Sequence, residues 1–303
     1  MTAAGPAPDT PQQQAPPRKV AVVTGASAGI GEAIARRLAE RGWRCILVAR
    51  REDRLQALAG EIGGEVELCD VADRNAVDAL AARILQRHPA VHLLVNNAGM
   101  PARGNFLTVE RDLVRRVMEV NYLGGVWCTR ALMPGLEVAA KDGGAHIVNL
   151  VSIAGTAAFA PAGAYAASKH AQLAFSRSLA AALRDSGIRV HSVLPGFVET
   201  EGFPQKGVLK SPLLGRFVIQ PPRVAEAVVD AVEKGKAEVT VPWFPYRLIS
   251  IAQAVMPRVV GRFSGMSDYR PGSVPLSSEP EPGDSARSLS RSTHSAKSGS
   301  TSE

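Results

Sequence analysis

Tyr165 and Lys169 stand four positions apart, a spacing that puts both side chains on one face of a helix. A free phenol keeps its proton up to a pKa of about 10, and a nearby ammonium favours the phenolate and lowers that value. A proton donor matched to the working pH gains rate, on the order of 10²–10⁴-fold. Ser152 lies thirteen positions before the tyrosine. Its hydroxyl can donate to an oxygen that gains negative charge during a reaction. Asn121 precedes Tyr122 and the pair Gly124-Gly125, which could loosen a helix there. Each of these residues alone has an ordinary surface or strand-end explanation. Together they describe a site that moves a proton to or from an oxygen. His170 adjoins Lys169 but should point off that face.

These side chains need elements to carry them. Short apolar runs alternate with longer amphipathic ones along the chain. Strands are expected at Lys19–Thr24, Arg44–Ala49, Val66–Cys69, His92–Val95, Ala145–Val151, Arg189–Leu194 and Glu238–Val241. Helices are expected over Gly29–Arg41, Glu52–Gly60, Arg74–Arg87, about Glu110 to Leu136, and Tyr165–Ser186. Strands apolar on both faces belong in a parallel sheet covered by helices, so the pattern predicts an α/β, doubly wound single domain. Such sheets bind ligands at the carboxyl ends of their strands. The residues of interest do follow strands.

The first strand runs into Thr24-Gly25-Ala26-Ser27-Ala28-Gly29-Ile30-Gly31. Glycines let this backbone turn sharply and approach a pyrophosphate, and the next helix offers free N–H groups and a positive dipole end. Gly25, Ser27, Gly29, Ile30 and Gly31 are therefore candidates for holding a dinucleotide. No acid ends the second strand, where Arg50 and Arg51 follow Ala49. A basic residue suits a ribose 2′-phosphate, so NADP is favoured over NAD. The alternative is that Arg50 is a solvated charge. Asp70 at the end of the third strand could accept from an adenine amino group, or cap the next helix. Asn96-Asn97-Ala98-Gly99 after the fourth strand could hold the sheet together and leave room for a ribose.

The motifs Thr24-Gly25-xxx-Gly29-x-Gly31, Asn96-Asn97-Ala98-Gly99, Asn121, Ser152, Tyr165-xxx-Lys169 and Pro195-Gly196 come in one order across residues 18–245. In this they resemble the short-chain dehydrogenase/reductase family. The resemblance implies a Rossmann-type sheet of about seven strands, a nicotinamide cofactor, and hydride transfer between that cofactor and a carbonyl or alcohol substrate. It implies Tyr165 as proton donor, Lys169 tuning it and bonding the nicotinamide ribose, Ser152 polarising the carbonyl, and Asn121 supporting a proton-relay water. It places Asn97, Ala98, Gly99, Pro195, Gly196 and Thr200 beside the cofactor. Analogy with relatives also implies a homo-oligomer. An NAD-dependent alcohol dehydrogenase, or a nucleotide-binding protein without chemistry, are the competing readings.

Composition narrows the rest. Hydrophobic residues make up 46% and charged ones 21%, enough apolar surface to hold one large core. The net charge of +7 is spread without runs, which argues against a nucleic-acid partner. Cys45, Cys69 and Cys128 form no CxxC pair and read as small buried residues of a protein in a reducing, cytoplasmic setting. No histidine spacing suggests a metal. Residues 1–17 lack the pattern of a signal peptide. Residues 1–17 and 271–303 are too polar to fold and are expected to be disordered tails around a domain at 18–270. The stretch 201–220 is expected to be a mobile lid. Residues 246–263 carry an apolar stripe flanked by Arg247, Arg258 and Arg262, with a kink at Pro257. This helix packs on the domain or a second subunit, or lies on a membrane surface, and on a membrane the substrate would be lipophilic.

Overall fold

The computed structural model describes residues 18–104, 106–158, 162–202 and 215–259. The expected tails, most of the expected lid, Arg262 and Phe263 lie outside the described residues.

The seven strands are β1 (Val20–Thr24), β2 (Arg44–Ala49), β3 (Glu65–Leu68), β4 (Leu93–Asn96), β5 (Ala145–Leu150), β6 (Ile188–Pro195) and β7 (Glu238–Val241). They form one sheet in the order β3-β2-β1-β4-β5-β6-β7. All the pairings are parallel. The helices between them are α1 (Gly29–Glu40), α2 (Glu52–Ile62), α3 (Arg74–Arg87), α4 (Arg111–Met118), α5 (Gly124–Lys141), α6 (Gly163–Ala182), α7 (Pro221–Lys234) and α8 (Tyr246–Val255).

Two cores explain why the strands are apolar throughout. Ala21 and Val23 of β1 pack with Ile34 and Leu38 of α1 and Val224 and Val228 of α7 on one face. Their neighbours Val20 and Val22 pack with Leu80 and Ile84 of α3 and Leu132 and Leu136 of α5 on the other. Alternate residues of one strand thus serve opposite layers. Cys45, Cys69 and Cys128 are buried as expected.

One helix went unread in the sequence and one expectation is corrected. The helix α7 has no counterpart in the sequence reading, although its signal was present. Pro221 and Pro222 open it, Val224, Ala225, Val228, Val229 and Val232 recur on one face, and Gly235 ends it in a left-handed conformation. The long helix expected over 110–136 is interrupted by a wide π-type turn at Glu119–Leu123, just before Gly124. Helices widen in this way frequently at functional sites.

The chain leaves β3 at one side of the sheet and resumes at β4, next to β1. This reversal opens a crevice at the carboxyl ends of β1 and β4. Among the described residues no helix is long and apolar enough to cross a membrane.

Candidate active site

A cavity of about 1150 Å³ occupies that crevice. It exceeds the roughly 300–1,000 Å³ that hold a drug-sized ligand. Gly25, Ser27, Gly29, Ile30, Arg50, Asp70, Asn97, Ala98, Gly99, Ser152, Tyr165, Lys169, Pro195, Gly196 and Thr200 all line it. Gly31 and Asn121 do not, for different physical reasons.

Gly25 and Gly29 hold φ of +67° and +61°, which side-chain-bearing residues rarely adopt. Gly31 is a packing glycine: a methyl there would overlap the Gly25 carbonyl and the Asn97 amide. Thr24 and Asn97 pin this loop to the end of β4. The Asn97 and Ala98 N–H groups both donate to Thr24 Oγ1 at 3.0 Å, and Asn97 Nδ2 donates to Thr24 O at 2.9 Å. Thr200 reaches the loop from beyond β6, its Cγ2 within 3.2 Å of the position a Gly29 side chain would take. A sharply turned glycine cradle ahead of the N-terminus of α1 fits a pyrophosphate.

The basic end of the cavity differs in detail from the sequence reading. Arg51 Nε donates to Ser27 Oγ at 3.1 Å, so Arg51 leans over the glycine loop. The Arg50 side chain is 70% exposed and comes within 3.7 Å of Asp70 Oδ2. Asp70 does not cap a helix. Asp73 does that for α3, accepting from the Asn75 and Ala76 N–H groups. Asp70 instead accepts from the Ala72 N–H at 3.1 Å and pairs with Arg116, a residue of α4 that the sequence reading missed. Burial alone would raise its pKa, but the Ala72 N–H and the two guanidiniums hold the carboxyl below its ordinary range.

Ser152 follows β5 and caps a short 3₁₀ turn at Ile153–Gly155, accepting from the Ala154 N–H at 3.1 Å. It is also hydrogen-bonded to the Tyr165 phenol. Burial pushes that phenol up to about 12, with Ser152 opposing the rise. Burial likewise pushes Lys169 down to about 7. The expectation that the ammonium acidifies the phenol is therefore corrected. Burial is the leading cause at both groups, and what lowers the phenol is its hydrogen bond to Ser152. Lys169 Nζ lies 5.9 Å from the centre of the Tyr165 ring and donates to Leu150 O and to Gln172 Oε1. A phenol at about 12 stays protonated at neutral pH and is a donor ready for an alkoxide-like oxygen.

Asn121 sits in the π-type turn and is 1% exposed. Its Nδ2 donates to Met100 O and to Ser168 Oγ, both at 3.0 Å, and its Oδ1 accepts from the Met100 N–H at 2.7 Å. It ties the stretch after β4 to α6 beneath Tyr165. His170 contacts the Ala166 carbonyl and stays off the cavity, as expected. Among the described residues no cluster could hold a metal ion.

Sequence reading also missed Tyr246 of α8. Its hydroxyl accepts from the Phe197 N–H and donates to Phe217 O, and its ring fills the space beside Gly196. Through Tyr246, α8 shapes the Pro195–Gly196 rim of the cavity.

Residues 19–207 match the short chain dehydrogenase family profile. The chain belongs to that family. It is 34% identical over 263 residues to dehydrogenase/reductase SDR family member 7B of Rattus norvegicus, covering 80% of this chain and 79% of the relative. A crystal structure of actinorhodin polyketide ketoreductase with NADPH superposes with a TM-score of 0.67 at 31% identity, covering 74% of this chain and 95% of the other. A short-chain dehydrogenase/reductase from Burkholderia phymatum in complex with NAD gives a TM-score of 0.70 at 26% identity, covering 80% and 95%. The chain is therefore a short-chain oxidoreductase acting on CH–OH or C=O groups, with a fold that binds a nicotinamide cofactor.

Proposed function

We propose that this short-chain dehydrogenase is an NADP-dependent reductase of ketones or aldehydes. The observation that carries the reading is a single cavity lined by the glycine cradle, by two arginines after β2, and by Ser152, Tyr165 and Lys169. NADPH, when bound, supplies the hydride. The chain's own residues manage the oxygen. Ser152 Oγ donates a hydrogen bond to the carbonyl oxygen and stabilises the charge that develops there. Tyr165 gives its proton to that oxygen, leaving an alcohol and a phenolate that regains a proton from solvent. Once that proton has left, the Lys169 ammonium, 5.9 Å from the centre of the ring, would attract the phenolate, although burial keeps the resting phenol from being acidified. Asn121 acts here as a positioning residue, holding Met100 and Ser168, and would also support the proton-relay water that the family resemblance implies. Gly25, Ser27, Gly29, Ile30, Asn97, Ala98, Gly99, Pro195, Gly196 and Thr200 would line the cofactor. Gly31 would support the loop from behind, and Asp70 the adenine end.

Arg51, with Arg50 beside it, would meet the 2′-phosphate; their position at the end of β2 supports NADP over NAD. The NADPH-bound ketoreductase among the neighbours supports the reductive direction, and the NAD-bound neighbour keeps an NAD-dependent alcohol dehydrogenase as the alternative. The test is NADPH and NADH oxidation with a panel running from short aldehydes to β-keto esters and decalones. Turnover with NADPH is expected. Turnover confined to NADH, or none with any acceptor while nucleotide binds, overturns the reading.

A second observation concerns α8. Tyr246 and Ser250 anchor it, yet much of the apolar stripe stays outside: Leu248, Val255, Met256 and Val259 are exposed, as are Ile251 beside it and Trp243 and Phe244 ahead of it. The helix breaks at Met256, immediately before Pro257, as expected. A face of this kind marks a contact surface. It would serve a membrane surface, with a lipophilic substrate, or a second subunit. Flotation with anionic vesicles and light scattering of the full chain separate the two. A monomer that ignores vesicles excludes both.

A further inference from the structure

Among the described residues no carboxylate stands beside the buried Lys169. What faces it is uncharged at neutral pH: Tyr165 and Gln172 on its own helix, Ser152 and the Leu150 carbonyl from the end of β5, and Asn121 held one step away by Ser168. An isolated ammonium in such a place is costly unless its N–H groups are satisfied. Two of the three are: Leu150 O accepts at 2.8 Å and Gln172 Oε1 at 2.7 Å. An ammonium only donates, so Gln172 must present its oxygen and not its amide nitrogen. Gln172 is 2% exposed and lies three residues after Lys169, on the same helix face.

We propose that Gln172 is a positioning residue for this site's proton chemistry: its side-chain oxygen keeps the Lys169 ammonium charged and fixes where the remaining N–H is offered to the cavity. The proposal rests on the roles given above to Tyr165 and Lys169. Leu150 O is backbone and constant, so Gln172 is the adjustable half of the pair. An acceptor bonded to the charged form favours that form. Removing it must lower the pH at which the ammonium is lost, and replacing it with a carboxylate must raise that pH.

The test is direct titration of Lys169 by NMR in cofactor-free full-length protein labelled with ¹³C at lysine Cε, the signal assigned by its loss in Lys169→Met. Wild type is expected to titrate near 7. Gln172→Leu should titrate about one pH unit lower, the size of one hydrogen bond to a charged group. Gln172→Glu should titrate higher. With NADPH and the best acceptor of the panel, the alkaline limb of kcat should move in the same directions. A merely structural role would scale kcat at every pH and leave the limb in place. If Gln172→Leu fails to fold by melting temperature, Gln172→Met makes the same test. Unmoved titration in the folded variants overturns the proposal. Wild-type turnover in Tyr165→Phe and Lys169→Met would instead overturn the assignment beneath it.

Discussion

Both ends of the sheet bury titratable side chains, and they put them to different use. At the carboxyl ends of the strands, Tyr165 and Lys169 are stripped of water yet line a cavity. Toward the opposite rim lie His92 just before β4, His146 near the start of β5, and His191 farther along β6. His191 Nδ1 donates to Lys236 O at 2.8 Å, which leaves its Nε2 to accept from His146 Nδ1 at 2.9 Å. His92 Nδ1 accepts from the Val20 N–H at 3.2 Å. Burial, then His191 and the nearby cations Arg189 and Lys19, push His146 down to about 4. None of the three lines the cavity. A perturbed pKa alone therefore does not mark chemistry. What separates the two ends is access to a space where a ligand can sit, with hydrogen-bonding capacity left to meet it.

The comparison can be broken at either end. The largest effect is expected from Ser152→Ala. Removing a donor to a developing oxyanion should cut kcat by about 10²–10³-fold, while loss of the turn cap should lower stability by only about 1 kcal/mol. Steady-state kinetics with the best carbonyl acceptor checks this, and a kcat within a few-fold of wild type would put Ser152 with the structural histidines. Next comes Arg51→Ala. It should weaken NADPH about tenfold, the loss of one hydrogen bond to a charged group, and leave NADH unchanged. Fluorescence titration of both nucleotides measures it; equal losses would mean that Arg51 does not read the 2′-phosphate. Asn121→Ala should cost stability as well as rate. It strands the Met100 N–H and carbonyl, at about 1–3 kcal/mol for an unsatisfied buried group, which thermal or urea unfolding reads out.

The smallest effect belongs to the far rim. Burial depresses the folded pKa of His146 below its unfolded value of about 6.5. The unfolded chain thus takes up the proton first as pH falls. The stabilisation is complete above about pH 6.5 and is lost on the way down to about pH 4. Wild type should drop by several degrees in melting temperature between about pH 7 and about pH 5. His146→Gln should narrow that drop while kcat at neutral pH stays as in wild type. An unchanged drop would remove His146 from the account.

How much the sequence discloses differs along the chain in the same way. Strand positions were readable because two-sided burial writes continuous apolar runs, as in Val20–Thr24 and Arg44–Ala49. The glycine cradle was readable because only glycine tolerates its backbone angles. Spacing also put Tyr165 and Lys169 on one face. It could not say that desolvation would dominate both groups, because burial depends on β5, α4 and the turn at Glu119–Leu123, all distant in sequence. The same limit hid the pairing of Arg116 with Asp70, 46 residues away, and the role of Tyr246 beside Gly196, 50 residues away. The helix α7 went unread although its capping and periodicity were visible. The apolar stripe of α8 was readable as a stripe, but the sequence left open whether it packs on the domain or faces outward, and much of it faces outward.

The central claim is that a buried phenol, protonated at neutral pH, donates to the substrate oxygen beside an ammonium that titrates near 7. Its most direct test is Tyr165→Phe, assayed for NADPH oxidation with the best acceptor while NADPH fluorescence reports binding in the same sample. Nucleotide affinity close to wild type with turnover down by about 10²-fold or more is the predicted result. Turnover within a few-fold of wild type would contradict it.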